Sequence, residues 1–438
     1  MYDIIIGRGE ADKQKYGKKG TILLGKHYVK MGQTTSLSSD IRLDIATSHV
    51  VFICGKRGSG KSNTIGVIAE GLSDLEPEIQ QNLSLIILDT MGIYWTMKYP
   101  NRQEEHLLKG YGIEPHGLDV VIYTPEGYFH EYKKKGIPTD MPFSIQPREL
   151  SPTEWCSAFE INPHEPVGVF VSEIIYTLQD KDLNYSIDDI VAHIKTTKEA
   201  PTIKNAAINQ FRNAQAWGLF SPKGTPLADL AKGGQITVLD VSCYATSSSG
   251  WTVKALAVAI IAQKLFVHRM LARKDEEFKS VKNALHYFSD NEENKQEDPL
   301  VWLLIDEAHE FLPRDKSVAS SGPLITILRE GRQPGISLVL ATQQPGKIHT
   351  DVLTQADTVI AHRITAKIDT DALGMLMQSY MRAGLTEQLD ALPRVTGAGI
   401  VFDDTNEKMF PMRVRPRFTW HGGSSPYAIP ETKEYFSK

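Results

Sequence analysis

The apolar positions of the chain change their period along its length. Over residues 1–48 they come in short pieces broken by glycine, such as "GTILLGKHYVKMG" and "DIRLDIAT", the pattern of a small β-rich module. From residue 49 onward nearly continuous apolar runs take over, at 49–54, 83–89, 119–124, 235–241, 301–306, 336–342, 357–363 and 397–402. Runs of this length without alternation are expected of parallel strands covered on both faces. Helical stretches lie between many of them, so the pattern predicts βαβ units and a doubly wound sheet over 49–149 and 235–417.

Between residues 150 and 234 the strand signal all but vanishes. "SPTEWCSAFE", "VGVFVSEIIYTLQD", "SIDDIVAHIKTT" and "IKNAAINQFRNAQAWGLF" repeat their apolar residues at helical spacing. The first and third begin with a serine followed by acidic residues in the opening turn, as helix N-termini do. This segment is predicted to be a helical subdomain inserted into the α/β core. Residues 275–298 carry eight acidic residues against three basic ones and read as a solvated acidic loop. Residues 418–438 are rich in turn formers and read as an extended tail.

Composition narrows the class only a little. A chain of 438 residues that is 41% hydrophobic and 23% charged suits a globular protein with a large core. The longest apolar run, Ala255 to Ala262, is too short to span a bilayer. The N-terminus lacks a basic-then-apolar signal pattern. Cys54, Cys156 and Cys243 have no metal or redox spacing, which suits a reducing cytoplasm. The net charge of −5 does not announce a nucleic-acid binder, but the 275–298 stretch accounts for all of it. The remainder of the chain is neutral, a balance compatible with a basic groove.

The chemistry is concentrated in two short stretches. "GKRGSGKS", Gly55 to Ser62, follows one predicted strand and opens a predicted helix. It satisfies G-x-x-x-x-G-K-[ST] in the required context. The glycines let the backbone of Gly55, Lys56, Arg57, Gly58, Ser59 and Gly60, together with the helix start at Lys61, Ser62 and Asn63, turn N–H groups toward phosphates. Lys61 is expected to bridge the β- and γ-phosphates of ATP, and Ser62 to bind Mg²⁺. "VWLLIDEAHEF", Val301 to Phe311, places Asp306 at the end of a buried strand to hold the metal's water shell. Glu307 next to it is placed to activate the attacking water. His309 completes the word "DEAH", but the second motor lobe of helicases named for that box is not evident after residue 343. A packing or ion-pair role is the expectation for this histidine. Gln343, at the end of the 336–342 strand, falls in the crevice where open α/β sheets bind ligands and is a candidate γ-phosphate sensor. At least one strand (83–89, 119–124 or 235–241) is expected between the phosphate-loop strand and the Asp306 strand, which suggests a RecA-like ASCE core.

Taken together, "ICGKRGSGKSNTIGVIAEGL", "IILDTMGIYW", "LLIDEAHEFLP", "LREGRQPGISLVLATQQPGKIHTDVLTQADTVIAHRI" and "VRPRFTWHGG" resemble the HerA-type ATPases of the HerA/FtsK superfamily, over residues 20–95 and 235–423. The resemblance implies a hexameric ring that translocates on double-stranded DNA, working with a NurA-like nuclease in end processing or antiphage defence. It also implies that nucleotide sits between subunits and that an arginine arrives in trans. Arg332 of "LREGRQPG" is favoured for that role, with Arg329 as a helper and Arg363 as a further candidate. Asp89 matches an acidic residue of the family. Its N-terminal β-barrel is usually longer than residues 1–48 here. DNA-facing loop candidates are residues 244–254 and residues 130–136, the latter with the basic run Lys133–Lys135. A nucleotide-switched regulatory subunit of a nuclease complex and a coupling-type ATPase moving another cargo are the alternative readings.

Overall fold

A computed structural model of the chain describes residues 3–31, 34–181, 184–246, 249–285, 298–364, 366–375 and 387–423. Among the described residues thirteen strands form one sheet: β1 (Ile4–Ile6), β2 (Thr21–Met31), β3 (Thr34–Asp44), β4 (Val50–Cys54), β5 (Leu83–Asp89), β6 (Val120–Pro125), β7 (Met141–Phe143), β8 (Ile236–Asp240), β9 (Leu300–Ile305), β10 (Ile336–Thr342), β11 (Thr358–His362), β12 (Ala398–Asp403) and β13 (Lys408–Val414). Their order is β1-β3-β2-β13-β12-β11-β4-β10-β9-β5-β8-β6-β7. From β11 to β7 every neighbour is parallel. β12, β13, β2 and β3 continue the sheet antiparallel. Residue 48 is therefore no break in the sheet, because β2 pairs with β13.

The strand separating the phosphate-loop strand β4 from the Asp306 strand β9 is β10, not one of the three strands expected there. The reason is topological. Residues 336–342 follow β9 in the chain and insert between it and β4, a pairing that no local pattern encodes.

The runs are apolar on both sides because both faces are covered. Phe52 and Cys54 of β4 join a core with Trp155, Phe170, Ile190 and Phe211 of the 150–234 helices and Leu256 to Leu265 of the helix Gly250–Leu285. Val51 and Ile53 face the other way, onto Ile65 and Ile68 of the helix Lys61–Ser73. In the predicted helical segment, Ser151 and Ser186 form capping boxes with Glu154 and Asp189.

Two segments differ from expectation. Residues 275–285 are not a loop: they finish the helix Gly250–Leu285. Arg273 pairs with Glu276 (3.4 Å) and Glu277 (3.0 Å) one turn on, and Arg269 reaches Glu276, so the charges brace the helix instead of solvating a coil. Residues 286–297 of the stretch lie outside the described residues. The tail also begins packed, with Phe418 and Thr419 fully buried, while residues 424–438 lie outside the description. The helix Gly250–Leu285 is long and apolar enough to cross a membrane by composition, yet 61% of its apolar window is buried inside the protein. It is a core helix.

Candidate active site

The phosphate loop leaves β4 at Gly55 and enters the helix Lys61–Ser73. Gly58 (φ 75°) and Gly60 (φ 117°) take left-handed conformations that a side chain would strain. A Cβ on Gly55 would fall 2.5 Å from Ser59 Oγ and 2.6 Å from His362 Cβ. Neighbouring strands hold the loop: the Lys56 amide donates to the Arg363 carbonyl (3.0 Å), and the Gly397 amide to the Ser59 carbonyl (3.1 Å). Beneath it His362 is fully buried. Burial pushes its pKa down to about 4, so the ring is neutral. Its Nδ1 donates to the Ala398 carbonyl (3.1 Å), leaving Nε2 to accept from the Thr64 hydroxyl (2.8 Å).

Asp306 follows β9 at the same end of the sheet. Ser62 Oγ donates to its Oδ2 (2.7 Å), and the Tyr94 hydroxyl lies 3.4 Å from the same oxygen. Burial raises the Asp306 pKa and the neighbouring Glu307 adds to it, while the Ser62 bond opposes both. Glu307 itself sits at φ 52°, ψ 43°. A non-glycine residue there costs ~1–3 kcal/mol and persists only where its surroundings fix it. Gln343, one residue past β10, donates its amide to Glu307 Oε1. Glu307 Oε2 is buried and has no hydrogen-bond partner. Lys61 is buried and donates to the Lys56 carbonyl (3.2 Å); burial lowers its pKa against the pull of Glu307 and Asp306.

One basin thus gathers Lys61, Ser62, Asp306, Glu307 and Gln343 at the C-terminal ends of β4, β9 and β10. The buried Ser59 Oγ also lacks a partner. With Glu307 Oε2 it gives the basin two orphaned polar atoms beside a glycine cradle, which fits a bound polyphosphate. The hard oxygens of Ser62 and Asp306 fit Mg²⁺, which takes its remaining oxygens from water and phosphate. Among the described residues no group of three or more His, Cys, Asp or Glu could hold a metal by itself.

Several contacts that shape the basin are invisible from local patterns. Asp89 accepts from the amides of Met91 (3.2 Å), Gly92 (2.7 Å) and Tyr94 (2.8 Å), and so shapes the turn that carries Tyr94 to Asp306. Burial, with Asp240 beside it, pushes Asp89 up to about 7. Behind the helix Lys61–Ser73, the buried Glu70 takes Arg415 (2.6 Å) and the amides of Phe418 (3.2 Å) and Thr419 (2.9 Å). Arg417 packs so close to Gly66 that a Cβ there would lie 2.6 Å from its Nε. These contacts strap "VRPRFTWHGG" along the helix. Asn63, Arg413, Pro416, His421 and Leu107 then line a cleft of about 190 Å³ next to the phosphate loop.

The arginines separate. Arg329 is exposed and pairs with Asp351 (2.6 Å). Arg332 is also exposed, but stands just before β10, whereas Gln343 stands just after it. Seven strand residues at roughly 3.3 Å each put about 20 Å between them, beyond a side chain's reach. Arg332 faces a cavity of about 910 Å³ with Arg8, His49 and Asp357 at the opposite end of the sheet from the basin. Arg363, partly exposed, holds the phosphate loop through its carbonyl. Lys133–Lys135 end a helix, Glu126–Lys135, rather than forming a loop; Lys135 pairs with Glu131 and Lys133 lies over the Phe129 ring. Of the 244–254 candidate, Ser247 and Ser248 lie outside the described residues, and Lys254 is buried against the Thr90 carbonyl (3.0 Å).

Residues 25–340 match the model of the family described as "Helicase HerA, central domain". The DNA double-strand break repair helicase HerA of Sulfurisphaera tokodaii is 20% identical over 434 residues, 95% of this chain and 73% of its own length. That of Pyrococcus furiosus is 27% identical over 375 residues, 80% of this chain and 63% of its own. The chain therefore spans part of these relatives, not their full length. Among solved structures, VirB4 of Thermoanaerobacter pseudethanolicus superposes with a TM-score of 0.54 at 13% identity, covering 94% of this chain and 98% of that one, a likeness of fold.

Proposed function

The chain belongs to the HerA helicase family through its central domain and has an α/β P-loop NTPase core; on that premise we propose that it is an ATP-driven motor that translocates on double-stranded DNA as a ring, with a nuclease as its partner. The observation that carries this reading is the separation just described. The hydrolytic basin lies at one end of β10 and Arg332 at the other, an arrangement suited to a site completed by a neighbouring subunit.

In this reading the backbone of Gly55 to Ser62 and the Lys61 ammonium hold the phosphates. Ser62 and Asp306 hold Mg²⁺, which when bound supplies charge neutralisation to the transferring phosphoryl group. Glu307 accepts a proton from water, and Gln343 holds the opposite oxygen of its carboxylate. Because this hydrolytic end lies toward β9 and β10, the nucleoside runs the other way, into the cleft of Asn63, Pro416 and His421. The other subunit's Arg332 closes the site.

Steady-state hydrolysis with and without duplex DNA tests the reading. A motor is expected to hydrolyse ATP faster on duplex, with the stimulation fading as salt rises. A rate indifferent to duplex at every salt concentration would favour a nucleotide-switched regulatory subunit or a coupling-type ATPase with another cargo.

A further inference from the structure

His309 is half-buried one turn beyond the catalytic acids, and the mechanism above does not use it. Its Nδ1 lies 3.0 Å from Thr342 Oγ1, on the last residue of β10, and 3.6 Å from Glu307 Oε2. Its Nε2 lies 3.5 Å from the Gln344 side-chain amide and 3.9 Å from Glu310 Oε1. Thr342, Gln343 and Gln344 are consecutive, so one strand end holds both His309 and Glu307. Glu307 Oε1 is held by Gln343, whereas Oε2 is the buried oxygen with no hydrogen-bond partner. His309 Nδ1 is the nearby group that faces it.

We propose that His309 is a positioning residue: its neutral ring, protonated at Nδ1, bonds to Thr342 and sets the orientation of Glu307 so that Oε2 points at the attacking water. The Thr342 hydroxyl can serve either tautomer, and the Gln344 and Glu307 contacts favour this one. A proton on Nδ1 satisfies Thr342 and presents a donor toward the Glu307 carboxylate, while Nε2 accepts from Gln344. A proton on Nε2 would set two lone pairs, Nδ1 and Oε2, against each other, and Glu310 at 3.9 Å is too far to compensate by a hydrogen bond. Burial, with Lys347 and Lys61 adding to it, lowers the His309 pKa, in keeping with a neutral ring. Gln343 bonds to Oε1, and the His309 ring stands 3.6 Å from Oε2, close enough to limit the carboxylate's rotation while leaving that oxygen open to water.

The inference rests on Glu307 being the base, and the test separates the two claims. The variants are His309→Ala, His309→Asn and Glu307→Gln. An asparagine amide can stand where Nδ1 stands but cannot relay a proton. His309→Ala is expected to lower kcat roughly 10²-fold, the scale of a misplaced catalytic group, with the dissociation constant of a fluorescent ATP analogue unchanged. His309→Asn is expected to recover most of the rate. Equal losses in Ala and Asn would mean proton relay and overturn positioning; normal turnover in both would overturn it as well. In nucleotide-free protein, ring ¹⁵N spectra assigned by subtraction of the Asn variant should show His309 protonated at Nδ1, and an Nε2-protonated ring would overturn the proposal. Normal turnover in Glu307→Gln would instead remove the base assignment on which it stands.

Discussion

The two ends of the parallel sheet are built on opposite rules. At the N-terminal end, Arg8 donates to Asp44, Asp44 Oδ2 lies 3.2 Å from His49 Nε2, and His49 Nδ1 lies 3.1 Å from Asp357. Charges there are paired with one another and tie β1, β3, β4 and β11 together, with Asp357 Oδ1 the one oxygen of the cluster left without a partner. At the C-terminal end, Ser59 Oγ and Glu307 Oε2 are buried without partners, and Glu307 takes a left-handed backbone. The Arg8–Asp44–His49 cluster pairs its charges within the chain, whereas the basin leaves a carboxylate oxygen and a hydroxyl open toward a ligand. The two arginines before β10 repeat the contrast on a small scale, since Arg329 is paired with Asp351 and Arg332 faces a cavity.

That contrast can be broken at several places. If Arg332 is an open group of the catalytic kind, Arg332→Ala should lower ATP turnover by ~10³–10⁵, the range measured for arginine fingers in other hydrolases. Arg329→Ala should leave turnover nearly intact; equal effects would erase the distinction. Glu307→Gln should lower turnover by ~10²–10⁴ while nucleotide binding persists, as removal of a general base does. At the paired extreme, Glu70→Ala leaves Arg415 and Arg417 buried without their carboxylate and should cost ~3–5 kcal/mol in denaturant unfolding. A cost under 1 kcal/mol would show that the "VRPR" strap is not held by charge.

The His49 cluster predicts a pH dependence. Burial disfavours the imidazolium, but its bonds to Asp357 and Asp44 outweigh this and push its pKa up to about 9, from 6.5 when unfolded. A raised folded pKa contributes stability that is fully present below pH 6.5 and is lost as pH climbs through 9. Unfolding free energy should therefore fall across that window, and His49→Gln should flatten the fall. The smallest effect belongs to the exposed Arg329–Asp351 pair: a double-mutant cycle is expected to give ~0.2–1 kcal/mol.

Much of this was legible in the sequence where the determinants are local. The phosphate loop and the Asp306–Glu307 pair are contiguous motifs, and the eight long apolar strands announced themselves because both faces of the sheet are buried. β13, "KMFPMRV", did not: a proline interrupts it, most of its positions are partly exposed, and it pairs antiparallel beyond β12. The order of strands was hidden because it depends on where chain segments return. The same reason hid Tyr94, His362, Glu70 and Arg417, which meet their partners across hundreds of residues. Net acidity alone hides the helix at 275–285; its signal is the i, i+3 and i, i+4 spacing of Glu276 and Glu277 to Arg273.

The account's central claim is that the basin is completed by the neighbouring subunit through Arg332. Mixing Arg332→Ala subunits with Lys61→Ala subunits under exchange tests it most directly. Each variant alone should be inactive, but mixed assemblies contain interfaces that combine an intact Lys61 with an intact Arg332. ATP hydrolysis reappearing in the mixture, greatest near equal proportions, is the predicted result. A mixture as inactive as its components, with exchange verified by differentially labelled subunits, would contradict it.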